Sequence, residues 1–154
     1  MSTTTAHDSR SDSRSVSRAV VVHATPEQVF TLLAEPRRHP DFDGSGSVKA
    51  AVRGPQRLSL GAHFGMRMRI GLPYLIRNTV VEFEENRRIA WRHFGHHIWR
   101  YELEPVDGGT KVTESFVWGT ALTPRALELA GVPQANTRAI EKTLERLRRR
   151  FATT

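Results

Sequence analysis

The chain has 154 residues, no cysteine and a formal net charge of +7. That length suits one domain, able to bury about 68–70% of its extended-chain surface. The lack of cysteine excludes disulfide frameworks and thiolate-based metal or redox sites. No apolar run approaches the roughly 20 residues of a membrane-spanning helix.

Residues 1–15, "MSTTTAHDSRSDSRS", are polar throughout and are expected to form a disordered tail. They carry no apolar stretch of the kind a secretory signal needs, so a cytoplasmic location without stable membrane insertion is the expectation. "VSRAVVVHA" reads as a strand with Val16, Arg18, Val20 and Val22 on one face. "TPEQVFTLLAEP" is a helix: Thr25 caps it, Pro26 fits the first helical position, Gln28 completes a capping box and Pro36 ends it. "HPDFDGSGS" follows as a turn-rich link, in which Asp41 and Asp43 are turn-formers.

From residue 48 to about residue 121 the chain reads as successive antiparallel strands, punctuated by "RGPQ", "GLPY", "EENR", "FGH" and "VDGG". "TPRALELAG" starts a helix that Gly131 and Pro133 interrupt. The last segment places Ile140, Leu144, Leu147 and Phe151 in one stripe, and Leu129 extrapolates onto it. One kinked helix and two separate helices are both consistent with this pattern. The segment 138–150 also holds six cations, Arg138, Lys142, Arg146, Arg148, Arg149 and Arg150, against Glu141 and Glu145. A solvated face near a helix C-terminus accounts for that excess, so no nucleic-acid partner is expected. The fold class is α+β: an antiparallel sheet of six to seven strands curled around a long C-terminal helix.

Turn chemistry sets the strand registers. Asp107-Gly108 suits a type I′ turn, which pairs Val106 with Gly109, Leu103 with Val112, Tyr101 with Glu114, Trp99 with Phe116 and His97 with Trp118. In the preceding hairpin a Phe94-Gly95-His96 loop pairs Trp91 with Trp99, Ile89 with Tyr101 and His93 with His97. A shorter loop would set Arg92 across from Trp99. The apolar pattern selects the longer one, because a one-residue slip flips every side chain. The same logic at "EENRR" pairs Phe83 with Ile89, Val81 with Trp91 and Thr79 with His93.

The segments "VVHATPEQVFTLL", "VVEFEENRRIAWR", "WRYELEPVDGGTKVTES" and "AIEKTLERLRR", in this order and spacing, resemble the START-like helix-grip superfamily (SRPBCC). They are most similar to its bacterial polyketide cyclase/dehydrase and lipid-transport-like branch. The resemblance covers nearly everything from residue 16 to residue 150. It implies a START-like ligand-binding domain over residues 16–154, with a hydrophobic cavity between the sheet and the last helix.

The strand registers assign that cavity its walls. Phe64, Met66 and Met68 share a face, with Arg67 and Arg69 outside. Thr79, Val81, Trp91, Trp99, Phe116 and Trp118 face inward by alternation, and Leu144 closes the cavity from the helix. Adaptable Met beside rigid aromatics suits a loosely shaped apolar ligand.

The candidate polar groups are Glu114, Tyr101, Arg77, His93 and His97. Glu114 lies between apolar strand neighbours, so it either turns outward at a bulge or needs a partner, Tyr101 across the strand or Arg77 as counter-ion. His93 and His97 sit side by side at a hairpin end, either as hydrogen-bonding groups or as proton-transfer groups. Two histidines without a third ligand make a poor zinc site, so neither a metal nor another cofactor is expected. Three functions remain open: binding or carriage of a small hydrophobic molecule, polyketide cyclase/aromatase/dehydratase chemistry by positioning and proton transfer, and a protein-interaction or regulatory role. The oligomeric state is open between monomer and homodimer.

Overall fold

The computed structural model describes residues 13–152, with β1 (Ser15–Val22), α1 (Pro26–Ala34), a 3-10 turn (Pro36–Arg38), α2 (His39–Phe42), β2 (Val48–Arg53), β3 (His63–Ile70), β4 (Leu72–Glu84), β5 (Arg88–Arg92), β6 (Ile98–Val106), β7 (Gly109–Val117), α3 (Pro124–Leu129) and α4 (Val132–Arg150). Residues 1–12, read as most of the solvated tail, lie outside the described residues.

One antiparallel sheet runs in the order β1-β7-β6-β5-β4-β3-β2, with α4 packed against β1 and β7. Every connection between β2 and β7 is a hairpin, as the short spacings require. The capping box at α1 is complete: the Thr25 hydroxyl accepts from the Gln28 amide, and the Gln28 side chain accepts from the Thr25 amide. Its apolar face, Val29, Phe30, Leu32 and Leu33, is buried. Ile140, Leu144 and Leu147 of α4 are at most 4% exposed and join Val22, Val112 and Phe116 in the core. Burial of a side chain of this size contributes about 1.5–3 kcal/mol.

The register of the last three strands is the one that the Asp107-Gly108 turn implies. Val106 pairs with Gly109, Leu103 with Val112, Tyr101 with Glu114 and Trp99 with Phe116. Next to them Trp91 pairs with Trp99 and Ile89 with Tyr101. His97 lies beyond the end of this ladder, and the Trp118 amide donates to the Arg14 carbonyl instead.

Strand β4 departs from expectation. Phe83 pairs with Ile89, but the register then shifts between Val80 and Glu82, so that Val80 faces Trp91 and Thr79 faces Arg92. Val81 is the extra residue of a bulge. Its insertion reverses the alternation along the rest of the strand. Val80 and Asn78 are therefore buried, each 1% exposed, while Arg77 is exposed and Thr79 lies on the outer face.

The C-terminal helices are separate. Gly131 takes a left-handed φ of 70°, which breaks the helix between α3 and α4. Leu129, extrapolated onto the buried stripe, is 91% exposed because the phase does not carry across that break.

Candidate functional site

A cavity of about 350 Å³ lies between the inner face of β3–β7, the first half of α4 and the loop around α2. Phe64, Met66, Met68, Trp91 and Trp99 line it, as the alternation indicated. Because of the bulge, β4 contributes Tyr74, Ile76 and Asn78. Its helical wall is Val132, Asn136, Ala139 and Thr143. Among the described residues no Lys or Arg lines this cavity.

Glu114 and Tyr101 form its polar floor. Both are buried, 3% and 4% exposed, and the Tyr101 hydroxyl donates to Glu114 Oε1 at 2.8 Å. Burial raises the Glu114 pKa well above the usual carboxylate range and outweighs the hydrogen bond from Tyr101, which acts the other way; the charge of Asp43 adds to the rise. Burial, with the nearby Glu114, also raises the Tyr101 pKa. Burial thus favours the neutral acid form of Glu114. Its Oε2, which has no protein partner, is left to carry the proton.

His93 and His97 close one end. Their ring centroids are 4.7 Å apart, and both residues line the cavity. Burial, then the charge of His97, lowers the His93 pKa to about 3, and burial also lowers that of His97. Both are neutral at physiological pH. Three buried polar atoms on cavity-lining residues have no protein partner: Asn78 Oδ1, His93 Nδ1 and Glu114 Oε2.

The cavity also holds a residue that the sequence pattern did not single out. His39, 5% exposed, donates from Nε2 to the Leu33 carbonyl at 2.8 Å and stacks on Trp91 with centroids 4.9 Å apart. Burial lowers its pKa to about 4, against the raising effects of the Leu33 hydrogen bond and Asp43. Below it, the Gly44 amide donates to the Thr143 hydroxyl at 2.8 Å and ties the loop to α4. A Cβ at Gly44 would lie 2.3 Å from the Thr143 backbone nitrogen, so only glycine permits this approach. Asp43 forms the turn as expected, accepting from the amides of Ser45 and Val48.

Six expected wall or partner residues lie elsewhere. Arg77 and Thr79 are on the outer face, where they border a separate recess of about 220 Å³ with His63, Arg92, His93 and His96. Arg77 therefore cannot neutralise Glu114. Val81 is the bulge residue and does not line the cavity. Phe116 is fully buried behind Trp99, ring centroids 5.0 Å apart, so it supports the wall without forming it. Trp118 stacks on Phe116 and donates from its indole to Glu128 Oε1 at 2.9 Å, which turns it toward α3. Leu144 points into the core, and Thr143 beside it meets the cavity. Among the described residues no group of three or more His, Asp or Glu side chains converges to hold a metal ion. No helix among them is long and apolar enough to cross a membrane.

Comparison with known proteins places this architecture. The uncharacterized proteins Rv0088 and MT0096 of two Mycobacterium tuberculosis strains are 36% and 35% identical to the chain over 143 residues, matching 89% of it. The match spans 64% of each relative's length. Among solved structures, a Chromobacterium violaceum protein superposes with a TM-score of 0.67 at 15% identity, covering 92% of this chain and 99% of that one. The polyketide-cyclase-like protein Cgl2372 of Corynebacterium glutamicum gives 0.57 at 21% identity, covering 88% and 89%. These likenesses show a shared fold. Residues 13–152, the whole of the described chain, match a single family, and the protein belongs to it: the polyketide cyclase/dehydrase and lipid transport family.

Proposed function

We propose that the cavity binds an uncharged hydrophobic small molecule bearing hydroxyl or carbonyl oxygens, and that the protein carries it. The observation behind this reading is the polarity of the wall. Aromatic and Met side chains line a space within the usual range of ligand pockets, about 300–1,000 Å³, and no cation faces it. A fatty-acid carboxylate would enter without a counter-charge, beside Asp43 and the buried Glu114, and would lose most of its hydration. A ligand carbonyl would accept from the neutral Glu114 acid, and a ligand hydroxyl would donate to Asn78 Oδ1.

Tryptophan fluorescence tests the reading, because Trp91 and Trp99 are in the wall. A neutral hydroxyanthraquinone should quench saturably, and Trp91→Ala with Trp99→Ala should remove binding. A fatty acid of similar size should bind at least tenfold more weakly. Equal affinity for the fatty acid, or no quenching by either probe, refutes the proposal.

One observation favours a second reading, cyclase or dehydratase chemistry. Glu114 is an acid held protonated near neutral pH with one oxygen free, and so suits protonation of a carbonyl or of a departing hydroxyl. On this reading Glu114→Gln keeps binding and lowers turnover by roughly 10²–10⁴, the usual contribution of a general acid.

A further inference from the structure

We infer that the open side of the cavity is a docking face for an anionic lipid bilayer. This goes beyond the cavity reading and is testable without any cavity ligand. Four observations meet at one end of the sheet. First, the β3–β4 hairpin exposes its apolar tip: Ile70 is 72% exposed, Leu72 80% and Leu75 67%. Phe94, at 79%, stands at the neighbouring β5–β6 turn. Second, Ile70, Tyr74 and Phe94 are themselves cavity-lining residues, so this exposed apolar rim borders the opening.

Third, arginines flank the tip. Arg67 and Arg69 alternate with cavity-lining Met66, Met68 and Ile70, and so face outward, as does Arg77 on β4. None of them, nor Arg92, forms an ion pair among the described residues, whereas most of the outer-face arginines farther along the sheet do: Arg88 with Glu102, Arg100 with Glu82. No Asp or Glu occurs anywhere between Asp43 and Glu82. Fourth, Arg77 and Arg92 border the outer recess of about 220 Å³ with His63 and His96, beside Phe94.

An apolar tip between unpaired arginines matches a bilayer surface in both layers. Leu72, Leu75 and Phe94 reach the acyl boundary while the arginines meet headgroup phosphates, with Arg77 and Arg92 holding one at the recess. A second copy fits poorly, since joining two such faces sets arginine against arginine. The contact is peripheral: no helix among the described residues is long and apolar enough to cross a membrane. It would let a hydrophobic ligand pass between bilayer and cavity with little exposure to water.

Co-sedimentation of the full chain with vesicles tests the inference. Vesicles with about a third phosphatidylglycerol should bind the protein, and phosphatidylcholine vesicles should bind it far less. Raising salt from about 0.15 M to about 0.5 M should weaken the anionic binding. Arg67→Gln and Arg69→Gln should each lower the partition coefficient about fivefold. Leu72→Asp should lower it about tenfold or more. None of these exposed side chains lines the cavity, so the circular-dichroism spectrum and the thermal unfolding midpoint should stay unchanged in every variant and report an intact fold. Equal binding to both vesicle types overturns the inference, as does anionic binding that survives Arg67→Gln and Arg69→Gln made together in one chain. Tighter binding to duplex DNA than to anionic vesicles at the same salt would reassign the face to nucleic acid. A concentration-dependent dimer abolished by Leu72→Asp would reassign it to a second copy.

Discussion

Replacing Glu114 with glutamine should stabilise the fold at neutral pH, by an amount that grows with pH. In the folded protein burial favours the protonated carboxyl, with Tyr101 donating to Oε1. In the unfolded chain the same group titrates near 4.5. Because the folded pKa is raised, this group's contribution is complete below 4.5 and is lost as pH rises toward the folded value: the unfolded chain releases a proton that the native state keeps. Glu114 alone therefore takes about 1.4 kcal/mol of stability for each pH unit from 4.5 up to its folded pKa. Glutamine has the same shape, accepts from Tyr101 through its amide oxygen and cannot ionise. The gain should be under about 1 kcal/mol at pH 5 and at most about 3 kcal/mol at pH 7. Urea unfolding of both proteins across pH 4.5–8 measures it, and the pH at which the difference levels off reads the folded pKa directly. A difference that stays flat between pH 5 and pH 7 would mean that Glu114 ionises as freely inside as outside. The neutral-acid basis of both functional readings would then fail.

The buried histidines act in the opposite sense: their pKa values fall from 6.5 to about 4 for His39 and about 3 for His93, so stability should drop as pH falls below 6.5. Near pH 5.5 the two histidines outweigh Glu114 by about one proton, giving the wild type a slope of about 1 kcal/mol per pH unit that fades toward pH 6.5; Glu114→Gln should roughly double it, by the same urea titration. Thr143→Val leaves the buried Gly44 amide without its 2.8 Å acceptor and should lower unfolding free energy by about 1–3 kcal/mol, with the circular-dichroism spectrum unchanged.

How much was legible in the sequence varied with the physical signal. Between β5 and β7 the turn chemistry of Asp107-Gly108 and the apolar alternation agree, so each pairing from Trp91 to Phe116 could be read in advance, including Tyr101 opposite Glu114. Strand β4 was opaque because a bulge has no residue signature of its own. Nothing about Val81 distinguishes an extra residue from a regular one, and three of the six displaced residues, Arg77, Thr79 and Val81, follow from that single insertion. On α4, periodicity identified the buried stripe but not which flank meets empty space, so Leu144 stood in for Thr143. His39 was hidden for another reason. Its partner is the Leu33 carbonyl in the last turn of α1, and main-chain acceptors leave no trace in residue identity.

The bulge at Val81 gives register, rather than residue type, control over the polarity of the pocket wall. Its inner wall is free of cations only because one additional residue turns Asn78 inward and Arg77 outward. The same residues in strict alternation, with Val81 paired rather than bulged, would turn Arg77 and Thr79 toward Glu114. The same composition would then enclose a guanidinium suited to acids. On this scaffold a one-residue change of register would alter the wall's polarity more sharply than a substitution, and relatives with nearly identical residues but no bulge need not enclose the same kind of space.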